Sequence, residues 1–252
     1  MHQLPVEGLA DAQAAMQQMS RMLDDLRALY AQRNAALREA RRAQQDAMLR
    51  LALAAESRDG DTGRHLLTMG FCSEQFALCL GLPPGYARQL RLAAPLHDVG
   101  KIAIPDAVLK KAGPLDPQER LTMNAHTTQG AALLADACSD LMRLAAEIAL
   151  THHERWDGTG YPHGLAGEDI PLSGRIVAVV DFFDALTMDR CYRKAFTIEQ
   201  ALEQLRAQAG KSFDPQLCEC FERHLDRLAS VRAYVDRHRL QLTDLIDHEP
   251  CI

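Results

Sequence analysis

The chain has 252 residues, 47 % of them hydrophobic, and a formal net charge of -6. That length and apolar content allow one domain of about 150–200 residues with a smaller element attached, and they exclude global disorder. The acidic balance excludes a protein that coats a nucleic-acid polymer, although a phosphate ligand stays within reach where bound cations reverse the local sign.

The N-terminus, MHQLPVEGLADAQ, has no basic region followed by an apolar run, so it does not read as a signal peptide. From about Ala10 to Arg50 the chain is rich in Ala, Gln, Arg, Leu and Met, and it lacks Gly and Pro. These are good helix formers. Met16, Met19, Leu23, Leu26, Tyr30 and Leu37 follow the alternating 3–4 spacing of a coiled-coil seam, with Arg33 interrupting it. The pattern predicts either a dimerising helix or one packed against its own domain, and residues 1–48 are read as this N-terminal segment.

Residues 49–252 read as helix after helix. Periodic segments cover 47–57 and 64–80, with a break expected at Arg58–Asp61. Leu82-Pro83-Pro84-Gly85 is a turn before another helix, and Ala112-Gly113-Pro114 is a loop. Asp116-Pro117 caps and starts the next helix. Residues 138–152 form a periodic helix ending in a histidine pair, 155–172 are a Gly/Pro-rich loop, and 173–187 return to helix. No sustained alternation with period two occurs, so the fold class is all-α. No apolar run of roughly 18 residues is present to span a membrane. The seven cysteines are irregularly spaced and read as reduced thiols in a cytoplasmic protein. Cys218 and Cys220 form a CxC pair, but no second thiol pair accompanies it as a structural zinc site would require.

Chemistry-bearing residues recur along this helical chain. Asp61 and His65 lie four apart in DGDTGRH, and His97 and Asp98 sit side by side in LHDVGKIAIPD. His126 follows in MNAHTTQG, then His152 and His153 in THHERWDGTGYP, and Asp181 in RIVAVVDFFDAL. Several stand among apolar residues, where unpaired imidazoles and carboxylates are costly to bury. A metal cluster would satisfy them together. Histidine with carboxylate and no thiolate suits iron, manganese, nickel or zinc in a reactive site rather than a structural zinc.

The stretches DTGRH, LHDVGKIAIPD, HHERWDGTGYPHGLAGEDIPL and DFFDALTMDRCYR resemble the HD-GYP family, a branch of the HD phosphohydrolases. The resemblance covers roughly residues 50–225. It implies an HD-domain helical bundle with an N-terminal helical extension. It also implies a two- or three-metal centre, commonly iron or manganese, and hydrolysis of cyclic di-GMP to pGpG or on to GMP. His65, His97, Asp98 and Asp181 would hold one metal, and Asp98, His126, His152 and His153 the second, with Asp98 bridging. Lys101 would contact the phosphate, Tyr161 would line the substrate loop, and Arg190 and Arg193 would meet the nucleotide or its second phosphate. The family often has Glu where this chain has Asp61, which can hold a third metal; aspartate is one methylene shorter, so two metals are expected. Cys191 replaces a frequent Pro, and Arg193 a frequent Lys, which changes a point charge into a planar fork.

Phosphodiester hydrolysis needs a nucleophile at neutral pH and neutralisation of the phosphoryl oxygens. Two metals about 3.5–4 Å apart provide both through a bridging hydroxide, and Lys101 would add charge where it grows in the transition state. Gly158 and Gly160 would let backbone approach the ligand beside Tyr161. Trp156 reads as structural packing, and Glu154 as either an orienting partner of a ligand or a surface ion pair. Two rivals stand beside the enzyme: a cyclic di-GMP receptor or scaffold without turnover, and a phosphohydrolase for another nucleotide. Complete ligand positions speak against the first and the intact GlyTyrPro block against the second. A homodimer through the N-terminal helix and a signalling partner protein are the expected protein contacts.

Overall fold

The computed structural model describes residues 6–59, 63–135, 139–188, 194–238 and 240–247. Among them there is no strand; two isolated bridges, Asp157 with Ala166 and Ala209 with Phe213, pin loops. The chain divides into two compact units, Met1–Gln45 and Asp46–Ile252.

The first unit is helical. It belongs to α1 (Val6–Asp59), a single helix of 54 residues, so the separate segment expected at 47–57 is instead the end of this element. The physical reason is the absence of any Gly or Pro between Leu9 and Asp59. The seam residues of the first unit are open to solvent: Met16, Met19, Leu23, Leu26, Tyr30 and Leu37 are 47–70 % exposed.

The second unit holds the core. Met48, Leu49, Ala52 and Ala55 of α1 are buried in it. Its centre is α2 (Gly63–Cys79), in which every residue from His65 to Ala77 is buried. It packs on α3 (Pro84–Ala93). Two 3-10 turns, Ala94–Leu96 and Val99–Ala103, frame the HisAsp pair. A short α4 (Asp106–Leu109) and α5 (Pro117–Asn124) follow. Asp116 caps α5 as expected: its carboxylate accepts from the Glu119 N–H, while Glu119 reaches back to the Asp116 N–H, satisfying two donors of the first turn.

Then come α6 (His126–Leu134), α7 (Asp140–Thr151) and α8 (Leu172–Thr187); α6 packs on α7, α7 on α8, and α8 on α2. The bundle closes with α9 (Ile198–Gln208), α10 (Pro215–Arg223), α11 (Leu225–Arg237) and α12 (Asp244–Asp247). Phe76 of α2, Phe183 of α8 and Phe221 of α10 form an aromatic centre with ring separations of 5.0–5.1 Å. Each such fully buried large side chain contributes about 1.5–3 kcal/mol. Cys218 and Cys220 both lie in this core on α10, where burial pushes the Cys218 thiol up to about 12 and also raises that of Cys220. No described helix is long and apolar enough to cross a membrane.

Candidate metal centre

Five elements deliver the polar cluster. His65 comes from the first turn of α2, and His97 and Asp98 from the junction of the two 3-10 turns. His126 opens α6, His152 caps α7 with His153 beside it, and Asp181 lies on α8. Their approach depends on Gly100. A Cβ there would lie 1.9 Å from the His126 carbonyl oxygen and 2.4 Å from the Gly130 nitrogen. Only glycine lets the second 3-10 turn press on α6 and bring Asp98 to His126.

The side chains form two groups. Ligand atoms of Asp98, His126, His152 and His153 all lie within 4.8 Å of one another, and so do those of His65, His97 and Asp181. Asp98 joins them. Its Oδ1 faces His126 Nε2 at 3.2 Å and His152 Nε2 at 3.6 Å. Its Oδ2 faces His97 Nε2 at 3.3 Å and Lys101 Nζ at 2.8 Å. His65 Nε2 and His97 Nε2 stand 3.8 and 3.9 Å from Asp181 Oδ1.

The far sides of the imidazoles decide what these contacts are. Nδ1 of His97 lies 2.9 Å from the Ala94 carbonyl, that of His126 2.7 Å from Met123, and that of His152 3.1 Å from both Ile148 and Ala149. His65 Nδ1 lies 2.8 Å from the Asp184 carboxylate. A carbonyl can only accept, so each of these Nδ1 atoms carries its proton. A neutral ring then turns a lone pair on Nε2 toward the centre. With the rings neutral, the short Nε2–carboxylate contacts set acceptor against acceptor, which only a proton or a cation relieves, and His97 Nε2 and Asp98 Oδ1 are buried without a hydrogen-bond partner. A cation relieves that arrangement, and a donor set of imidazole nitrogen and carboxylate oxygen fits a divalent transition metal.

Without a cation the groups share protons unequally. Burial lowers the His65 pKa, but the hydrogen bond and charge of Asp184, with Asp181 behind them, lift it to about 10. His97 also ends raised, because Asp98 outweighs burial. Burial dominates at His152 and His153 and lowers both, His153 strongly. Burial would raise the Asp98 carboxyl, yet Lys101 and the surrounding imidazoles hold it well below the usual carboxylate range.

Tyr161 stacks on His153 with ring centroids 4.8 Å apart. Burial, then the charge of Asp98, pushes its hydroxyl up, so the phenol stays neutral. The loop carrying it is fastened from below. Buried Glu154 accepts from the His163 N–H at 2.7 Å and the Leu165 N–H at 3.0 Å. It neither touches a ligand histidine through its carboxylate nor forms a surface ion pair; it staples the loop. A Cβ at Gly160 would lie 2.3 Å from the Arg155 nitrogen, so backbone crossing rather than ligand approach accounts for this glycine. Trp156 packs structurally, with Arg175 over its ring at 5.7 Å.

Three residues escaped the sequence reading. Asp184 orients His65, and its signal was present as a carboxylate one turn after Asp181 in DFFDAL. Arg58, on the last turn of α1, donates to the Lys101, Ile102 and Ile104 carbonyls and to Asp106, fixing the backbone beside Lys101. Glu56 is buried close enough to His65, Lys101 and Asp98 to feel their charges. Asp61, Arg190, Cys191 and Arg193 lie outside the described residues. A cavity of about 400 Å³ adjoins the centre, walled by His152, His153, Tyr161, Phe182 and Phe213.

Residues 17–217 match the HD domain family. Over 183 residues the chain is 46 % identical to 3'3'-cGAMP-specific phosphodiesterase 2 of Vibrio cholerae, covering 73 % of this chain and 35 % of that protein. Over 171 residues it is 44 % identical to a cyclic di-GMP phosphodiesterase of Thermotoga maritima, covering 68 % of this chain and 46 % of that protein. The chain thus spans less than half the length of these relatives. The crystal structure of a cyclic GMP-AMP specific phosphodiesterase from Vibrio cholerae shares the fold, with a TM-score of 0.55 at 22 % identity over 77 % of this chain and 53 % of that one.

Proposed function

The chain belongs to the HD domain family, in its HD-GYP branch, and from that membership we propose that it is a metal-dependent phosphodiesterase acting on cyclic di-GMP. The observation that carries the reading is the bridging position of Asp98, one oxygen turned to His97 and the other to His126 and His152, whose Nδ1 atoms are already engaged. His65, His97, Asp98 and Asp181 would hold one cation, and Asp98, His126, His152 and His153 the other. Iron or manganese is the favoured metal, and two per chain the favoured number. When bound, such a pair supplies the positive charge that generates a nucleophilic water and neutralises phosphoryl oxygens.

The chain's own side chains do the rest. Lys101, held at Asp98, offers its ammonium to a non-bridging phosphate oxygen. Tyr161 presents a neutral phenol over the ligand beside His153. Arg190 and Arg193 would bind the nucleotide or its second phosphate. Residues 1–48 form the extension that pairs with a second copy through the exposed seam, and 49–252 the catalytic domain. This arrangement leaves the apolar positions of α1 covered in the dimer.

The test is anaerobic turnover of cyclic di-GMP by protein whose metal has been counted. Hydrolysis with two metals per chain is expected, and Lys101→Ala should keep the metals while losing about a hundredfold or more in kcat. A metal-filled protein that binds the nucleotide and does not cleave it overturns the reading. Sedimentation of the same preparation tests the pairing: Leu26→Glu should shift a dimer to monomer, and an unchanged dimer removes α1 from the interface.

A further inference from the structure

We propose that the cavity beside His152 and His153 seats a purine base of the substrate, and that Gln208 selects guanine over adenine there. The inference rests on the cyclic dinucleotide reading above. The cavity has the size of a small-molecule site and shares two walls with the metal centre. Tyr161, Phe182 and Phe213 line it, the two phenylalanine rings 4.9 Å apart. Aromatic faces of this kind stack on a base without telling one base from another. Selection has to come from the polar groups.

Those groups form a relay with one direction. Arg155 Nη1 donates to Ser212 Oγ at 2.5 Å, and Ser212 Oγ donates to Gln208 Oε1 at 2.8 Å. A guanidinium can only donate, so it takes one of the two acceptor sites on the hydroxyl, and the hydroxyl's own proton is directed to the amide oxygen. That fixes the orientation of the Gln208 amide. Its oxygen faces Ser212, which leaves the two N–H donors as the end it turns to a ligand. The end of α9 holds it in place, because the Gln208 carbonyl accepts from the N–H groups of Lys211, Ser212 and Phe213. Glu154, a carboxylate lining the same cavity, is occupied by the His163 and Leu165 amides.

The cavity therefore presents the amide donors of Gln208, while Arg155 is engaged by Ser212, Asp157 and Thr159. Guanine offers two adjacent acceptors, O6 and N7, on one edge; adenine offers N7 and a donor, the N6 amino group. Guanine is matched there, and adenine sets donor against donor. A site built on directed hydrogen bonds rejects such a mismatch far better than an apolar pocket rejects a change of size.

The experiment compares kcat/KM for cyclic di-GMP, 3'3'-cGAMP and cyclic di-AMP, using metal-counted protein of all 252 residues. Gln208→Glu keeps the hydrogen bond from Ser212 and replaces the two donors by an acceptor. It should lower kcat/KM for cyclic di-GMP by about tenfold or more, mainly through KM, and shift the preference toward adenine. Ser212→Ala frees the amide to rotate and should narrow the preference without inverting it. A guanine-to-adenine ratio unchanged in both variants overturns the inference and leaves the enzyme reading intact. Failure of the unmodified protein to cleave any of the three sinks the enzyme reading instead. The same ratio is then read from the dissociation constants of the three ligands, and an unchanged ratio again overturns the inference.

Discussion

His65 and His152 are both buried imidazoles that aim Nε2 at one centre, but they are held in opposite ways. His152 is fixed by the carbonyls of its own preceding turn, Ile148 and Ala149. His97 and His126 follow the same plan, with Ala94 and Met123. His65 is fixed by a side chain, the carboxylate of Asp184. A backbone carbonyl orients without adding charge, so at His152 burial decides and the pKa is lowered, while His97, held the same way, ends raised through Asp98 beside its Nε2. A carboxylate orients and adds charge, so His65 is raised to about 10 despite its burial. Equal direction thus comes with unequal basicity, and only the His65 arrangement can be altered by replacing one side chain.

The largest expected effect removes what the two groups share. Asp98→Ala should empty both, reducing the metal content of purified protein to near zero; retention of two metals per chain would show that neither group depends on this carboxylate. A smaller effect should separate them. Asp184→Asn keeps the shape and an acceptor oxygen but removes the charge behind His65. Metal affinity at the His65 group should fall by about 10–100-fold, the usual cost of losing an outer partner. Chelator titration should then resolve one weak and one strong site. Simultaneous loss of both metals would break the comparison and make the centre one indivisible unit.

The smallest effect concerns pH in the metal-free protein. His65 has a folded pKa above its ordinary 6.5, so its contribution is complete below about 6.5 and is lost as pH rises toward 10. His152 and His153 have lowered pKa values, so they cost stability as pH falls below the ordinary value, where the unfolded chain takes up protons and the native rings do not. The melting temperature of chelated protein should therefore peak near pH 6.5. Asp184→Asn should weaken the alkaline slope alone, leaving the part that His97 carries. An identical profile in the variant would mean that Asp184 does not carry the His65 shift.

The same contrast explains what could be read in advance. The clustering of the histidines with Asp181 was legible because polar residues in apolar surroundings demand a partner, and because their order matches a known family. The all-helical class, the loop through 155–172 and the α5 cap were legible from breakers and capping residues. The Nδ1–carbonyl contacts were not, since they are backbone geometry and leave no trace in residue identity. Asp184 was hidden because a second carboxylate one turn on reads equally well as a helix-end residue. Glu154 was misjudged because its partners are main-chain amides nine and eleven residues ahead. The continuity of α1 through 47–57 was missed although nothing there breaks a helix.

The contact of Gly100 with α6 bears on how such a centre can evolve. At 1.9 Å from the His126 oxygen, even the smallest side chain is already too large. The Asp98–His126 spacing thus has no graded series of substitutions at this position. A lineage could drift in its exposed helix and its loops while this spacing stayed fixed, and a scan of all substitutions should find Gly100 as intolerant as the clustered histidines although it contributes no functional group.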